Sequence, residues 1–121
     1  MTRVLIVDDE PATNTLVKEY LGLAGFETLA AFDARGALAA LEAGERVDVA
    51  VVDRRLPDLD GLELCARLKA ARPMPVLMLT ASGLPTSAPA GPGAPDAWMG
   101  KPFRPKDLVA EIRRLLESLP A

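Results

Sequence analysis

Histidine is absent from this chain, and cysteine occurs once, at Cys65. The first absence removes histidine ligands, a histidine base and any phosphohistidine of the chain's own. The second removes a disulfide within the chain and fits a reducing cytosol. Long apolar runs are missing too. The N-terminal run Val4-Leu5-Ile6-Val7 ends at two acids, too short for a signal peptide or a membrane span. No basic run exceeds two residues (Arg54-Arg55, Arg113-Arg114) and the net charge is −3, which gives no nucleic-acid surface. Arg54-Arg55 reads as a solvated loop. What remains is the composition of a soluble, cytoplasmic, globular chain: 121 residues, 50% hydrophobic and 26% charged, enough for one domain over 1–121 with a single core of ordinary size.

Short apolar runs alternate with segments of helical period. Strands are expected over 3–7, 26–31, 47–52, 76–79 and, more weakly, 97–100. The first, third and fourth runs are continuous rather than alternating, the pattern of parallel strands covered on both faces. The second is more polar and belongs at an edge. Between them, Leu16, Val17, Tyr20, Leu21 and Ala24 form one helix face that ends near Gly25. Ala34, Ala37, Leu38 and Leu41 form another, with Asp33 as N-cap and Gly44 beyond the end. A third helix opens at Asp60-Gly61-Leu62-Glu63, an acidic variant of the capping box, and buries Leu64, Cys65 and Leu68, so Cys65 is expected to pack rather than react. The last carries Leu108, Ile112, Leu115 and Leu119. Within 83–95, seven residues are proline or glycine, each interior proline costing a helix about 3 kcal/mol and each glycine about 1. An irregular loop or a short turn is expected there. The alternation specifies an α/β domain with a parallel sheet.

Asp8 and Asp9 follow the first strand, Asp53 the third, Thr80 the fourth and Lys101 the fifth. In an open α/β sheet ligands bind at the carboxyl ends of the strands. A doubly wound order 2-1-3-4-5, the flavodoxin-like order, would bring all these residues to one rim. Clustered carboxylates repel unless something cationic joins them, and an oxygen-only set suits Mg²⁺. Such a set points to phosphoryl chemistry on a carboxylate.

Four pieces in order, Val7-Asp8-Asp9-Glu10, Val52-Asp53 with Leu56-Pro57 and Asp60-Gly61, Leu79-Thr80-Ala81, and Lys101-Pro102-Phe103, resemble the receiver domain of bacterial response regulators over the whole chain. The resemblance implies that Asp53 is the phosphoacceptor. It implies Mg²⁺ (or Mn²⁺) on Asp9, Asp53 and the backbone carbonyl of Arg55, with Asp8 acting through a metal-bound water. It gives Lys101 and the Thr80 hydroxyl to the phosphoryl group and makes Pro102 a cis proline. Its implied partners are a sensor histidine kinase or phosphotransfer protein as donor, and an output domain or downstream protein. The chain itself is no enzyme beyond its own phosphorylation and dephosphorylation.

There are departures. The proline- and glycine-rich stretch stands where the family has its fourth helix, which is expected to be degenerate or missing. Trp98 replaces the tyrosine or phenylalanine that serves as a rotating switch, and Ala97 a common acid. The last helix resembles receivers joined to winged-helix DNA-binding domains, yet Glu111 stands where that group carries an arginine used in dimer ion pairs. Phosphorylation is expected to persist with an altered readout and without that symmetric dimer. Three other classes fit less well. A haloacid-dehalogenase-type phosphohydrolase needs a gap between its two aspartates. A flavin domain needs a phosphate loop where two acids stand here. A degenerate receiver serving as an interaction module would not fill every key position.

Overall fold

The structure, a computed structural model, describes residues 1–81 and 90–118. Five strands, β1 (Arg3–Val7), β2 (Glu27–Ala31), β3 (Val49–Asp53), β4 (Val76–Thr80) and β5 (Ala97–Gly100), form one parallel sheet in the order β2-β1-β3-β4-β5. Four helices are described: α1 (Pro11–Leu23), α2 (Ala34–Glu42), α3 (Gly61–Ala71) and α4 (Pro105–Glu117). This is the doubly wound order expected, with the more polar β2 at an edge. Between β4 and β5 the described residues 90–96 make turns and bends and no helix. The rest of the proline- and glycine-rich stretch, 82–89, lies outside the described residues.

Side chains alternate across the sheet and build a core on each face. Leu5, Val7, Ala50, Val52 and Met78 meet Ala37 and Leu41 of α2 and Leu64, Cys65 and Leu68 of α3. Val4, Ile6, Val49, Val51 and Leu77 meet Val17 and Leu21 of α1 and Leu108, Ile112 and Leu115 of α4. Leu119 of the expected apolar face lies outside the described residues.

Local details correct three expectations. β3 starts two residues later than its apolar run, because Asp48 turns back to Arg3, its backbone N–H donating to the Arg3 carbonyl at 2.9 Å while its carboxylate accepts from the Arg3 N–H at 2.8 Å. The inward stripe of α1 is Asn14, Val17 and Leu21, spaced i, i+3, i+7, which leaves Leu16 exposed. In α3, Asp60 caps the Leu62 N–H at 2.8 Å, but Glu63 turns to Arg67 Nε at 3.4 Å instead of reaching back. The α2 cap is as expected: Asp33 accepts from the Gly36 N–H at 2.7 Å, and Gly44 takes the left-handed φ of +83° after the helix.

Candidate functional site

Because every strand is parallel, all five carboxyl ends share one rim, and the order reverses between β1 and β3, the switch point at which open α/β sheets bind ligands. β1 delivers Asp8, whose Oδ1 accepts from the Glu10 N–H at 3.0 Å. β3 ends in Asp53, whose Oδ1 accepts from the Arg55 N–H at 3.3 Å. β4 ends in Thr80, buried and level with Gly100 of β5. The Lys101 N–H donates to the Thr80 carbonyl at 2.8 Å, which turns the lysine back across the rim, and the following Lys101–Pro102 bond is cis.

Lys101 Nζ lies 3.0 Å from Asp8 Oδ2 and 3.1 Å from Asp53 Oδ2, bridging the two acids. One oxygen from each of Asp8, Asp9 and Asp53 lies within 4.8 Å of the others. Asp8 and Asp53 are buried, and Asp9 opens to solvent. Burial pushes the Asp8 carboxyl above its usual range, against the pull of the Glu10 N–H and Lys101, and the neighbouring Asp53 charge adds to the rise. Burial works against the Lys101 ammonium, but its hydrogen bonds to Asp8 and Asp53 and their charges outweigh it and raise its pKa. With all four groups ionised, three carboxylates against one ammonium leave two negative charges, a deficit that suits a divalent cation with hard oxygen ligands.

The β3–α3 loop is tied down around this cluster. Gly61 passes so close to the end of β3 that a Cβ there would lie 2.4 Å from the Asp53 carbonyl oxygen, so only glycine fits. Asp58 spans to α2, its carboxylate accepting from the N–H groups of Ala34 at 3.0 Å and Arg35 at 2.9 Å. Trp98 packs half-buried on the α2–α3 core, with the Arg54 guanidinium 6.0 Å from its ring centre. Glu111 pairs within its own helix with Arg114, Oε1 accepting from Nε at 2.9 Å.

Two polar partners escaped the sequence reading. Asp58 gave no signal, since a loop aspartate two residues before Asp60 looks solvated. Asn14 did: an asparagine on the stripe shared with Val17 and Leu21 is a polar residue aimed at the core.

A model of the response regulator receiver domain matches residues 4–113. The transcriptional regulatory protein TcrA of Mycobacterium tuberculosis is 42% identical over 115 residues, which cover 93% of this chain and 45% of that protein. CpxR of Klebsiella pneumoniae, also a transcriptional regulatory protein, is 37% identical over 118 residues, covering 96% and 50%. The chain thus spans about half the length of these relatives. The crystal structure of a CheY-like receiver domain protein from Methanospirillum hungatei superposes with a TM-score of 0.84 at 32% identity, covering 97% of this chain and 94% of that one. On these grounds the chain belongs to the response regulator receiver domain family.

Proposed function

We propose that residues 1–121 are a receiver that accepts a phosphoryl group on Asp53 from a phosphohistidine of a sensor kinase or phosphotransfer protein. The observation that carries this reading is the set of three carboxylates within 4.8 Å, two of them, Asp8 and Asp53, bridged by a single lysine. An Asp53 carboxylate oxygen attacks phosphorus, the new O–P bond forming as the N–P bond of the donor breaks. The leaving imidazole nitrogen keeps that electron pair and takes a proton from water. Lys101 passes from the Asp53 carboxylate to the phosphoryl oxygens, and the Thr80 hydroxyl donates to them. Little else is needed, since such transfers are catalysed by positioning and by neutralising a spread-out anion. Asp9, Asp53 and the Arg55 carbonyl would hold Mg²⁺ or Mn²⁺, with Asp8 behind them through a metal-bound water. When bound, the ion supplies the positive charge that this rim lacks.

The readout is a movement of Thr80 and Trp98, passed to an output domain or downstream protein. The relatives' description as transcriptional regulatory proteins supports an output in transcription. The chain acts as a signalling element in the cytoplasm; no described helix is long and apolar enough to cross a membrane. It is no enzyme beyond the chemistry of its own acyl phosphate. The Glu111–Arg114 pair supports a readout without the arginine-paired symmetric dimer. Acetyl phosphate with Mg²⁺ is the test: one phosphoryl adduct is expected by intact mass, and none in Asp53→Ala. An equal adduct in the variant would refute the assignment.

A further inference from the structure

Among the described residues four polar side chains are buried, and three of them, Asp8, Asp53 and Thr80, belong to the site already described. The fourth is Asn14, 1% exposed, in the first turns of α1. Its Nδ2 donates to the Asp8 carbonyl at 3.1 Å and to the Ala31 carbonyl at 3.0 Å. The Asp8 N–H reaches the same Ala31 oxygen at 3.2 Å, and the Asn14 N–H bonds the Glu10 carbonyl at 3.0 Å. One side chain therefore joins the end of β1, the end of β2 and the start of α1. Asparagine is a poor helix former, and burying its amide is costly unless its hydrogens find acceptors, as both do here.

The β1–α1 turn carries two of the three clustered carboxylates, and their mutual repulsion favours swinging that turn away from β3. Lys101 restrains the Asp8 side chain through Nζ at 3.0 Å, whereas the Asp9 side chain is exposed. The backbone that carries both acids is held by the bonds to Ala31 and Asn14.

We infer that Asn14 is a positioning residue for the acidic pair: by clamping the Asp8 backbone to β2 it keeps Asp8 and Asp9 within reach of Asp53, and so sets the affinity for the divalent cation. This rests on the metal-binding reading of the site and adds to it a residue that touches neither ion nor phosphoryl group. Partners that hold the ligands of a metal site are worth 10–100-fold in affinity when removed.

The experiment is Mg²⁺ titration of the whole chain, read by Trp98 emission and by melting temperature. Asn14→Leu keeps the branched four-atom skeleton and removes both donors; its Mg²⁺ affinity is expected to fall about tenfold or more. Asn14→Ser retains one hydroxyl donor and should lose less; it carries the test if the leucine variant does not fold. Leu115→Ala, in the core on α4, should lower the melting temperature yet leave Mg²⁺ affinity unchanged. Labelling of Asn14→Leu or Asn14→Ser by acetyl phosphate should approach the wild-type extent once Mg²⁺ is raised to saturation. Equal affinities in wild type and both Asn14 variants, or an equal loss in Leu115→Ala, would overturn the positioning role alone. A wild-type chain indifferent to Mg²⁺ would overturn both this role and the metal-binding reading beneath it.

Discussion

The two ends of the same sheet treat carboxylates in opposite ways. At the amino end of β1 and the loop before β3, Arg3 pairs with Glu27 at 3.4 Å and with Glu45 at 2.6 Å, while Arg46 pairs with Glu27 at 2.9 Å and Asp48 at 2.5 Å. Those side chains are 26–48% exposed, so water and two guanidinium groups share the work of balancing three acids. At the carboxyl end three acids cluster around one ammonium that pairs with two of them, Asp8 and Asp53, whose side chains are only 2% and 11% exposed. A carboxylate costs little where solvent and arginine reach it, and much where they do not. The first arrangement serves the fold, whereas the second has a deficit of positive charge that the fold leaves standing.

The contrast can be broken first with metal. Mg²⁺ at roughly 100 times its dissociation constant should stabilise the wild type by about 2.7 kcal/mol. Thermal melts should show Asp9→Asn losing most of that gain and Glu45→Gln keeping it. A wild-type melting temperature unmoved by Mg²⁺ would erase the distinction between the two rims.

Removing the lone cation comes next. Lys101→Met strands two buried acids, and since its side chain is 20% exposed the loss should be about 2 kcal/mol, below that of a fully buried pair. Denaturant melts without Mg²⁺ would measure it. The sign with pH follows from the raised Lys101 pKa. Its contribution is complete below the ordinary 10.5 and is lost as pH rises through the higher folded value. Wild type should therefore lose more stability above pH 10.5 than Lys101→Met does.

At the opposite rim, Glu45→Gln or Arg46→Gln should cost only about 0.2–1 kcal/mol, and added salt should shrink the difference. A cost equal to that of Lys101→Met would mean that burial is not what separates the rims. The smallest signal expected is optical. Beryllofluoride with Mg²⁺ should change Trp98 emission beyond the effect of Mg²⁺ alone, and Thr80→Ala should abolish the extra change. Identical spectra would make the ring a static part of the α2–α3 core.

The sequence made the sheet legible because its buried strands are unbroken apolar runs; the polar character of β2 placed it at an edge, while the full strand order comes from the flavodoxin-like pattern and not from the residues. The site residues were legible as a set since each stands at a strand's carboxyl end. Distances were not: nothing in the chain's order says that Lys101 reaches Asp8 as closely as Asp53. Leu16 was misplaced because apolar spacing alone assigned the α1 face, while the true stripe includes Asn14, a polar residue whose partners are backbone carbonyls invisible to any pattern. Cys65 was read as packing, and its burial, which pushes the thiol up to about 11, fits that role.

Acetyl phosphate offers its phosphoryl group to every carboxylate of both rims, so locating the adduct tests the account most directly. Borohydride trapping followed by peptide mass mapping should find the modification at Asp53 alone, and only when Mg²⁺ is present. Modification of Glu27, Glu45 or Asp48, or labelling of Asp53 that is indifferent to Mg²⁺, would contradict it.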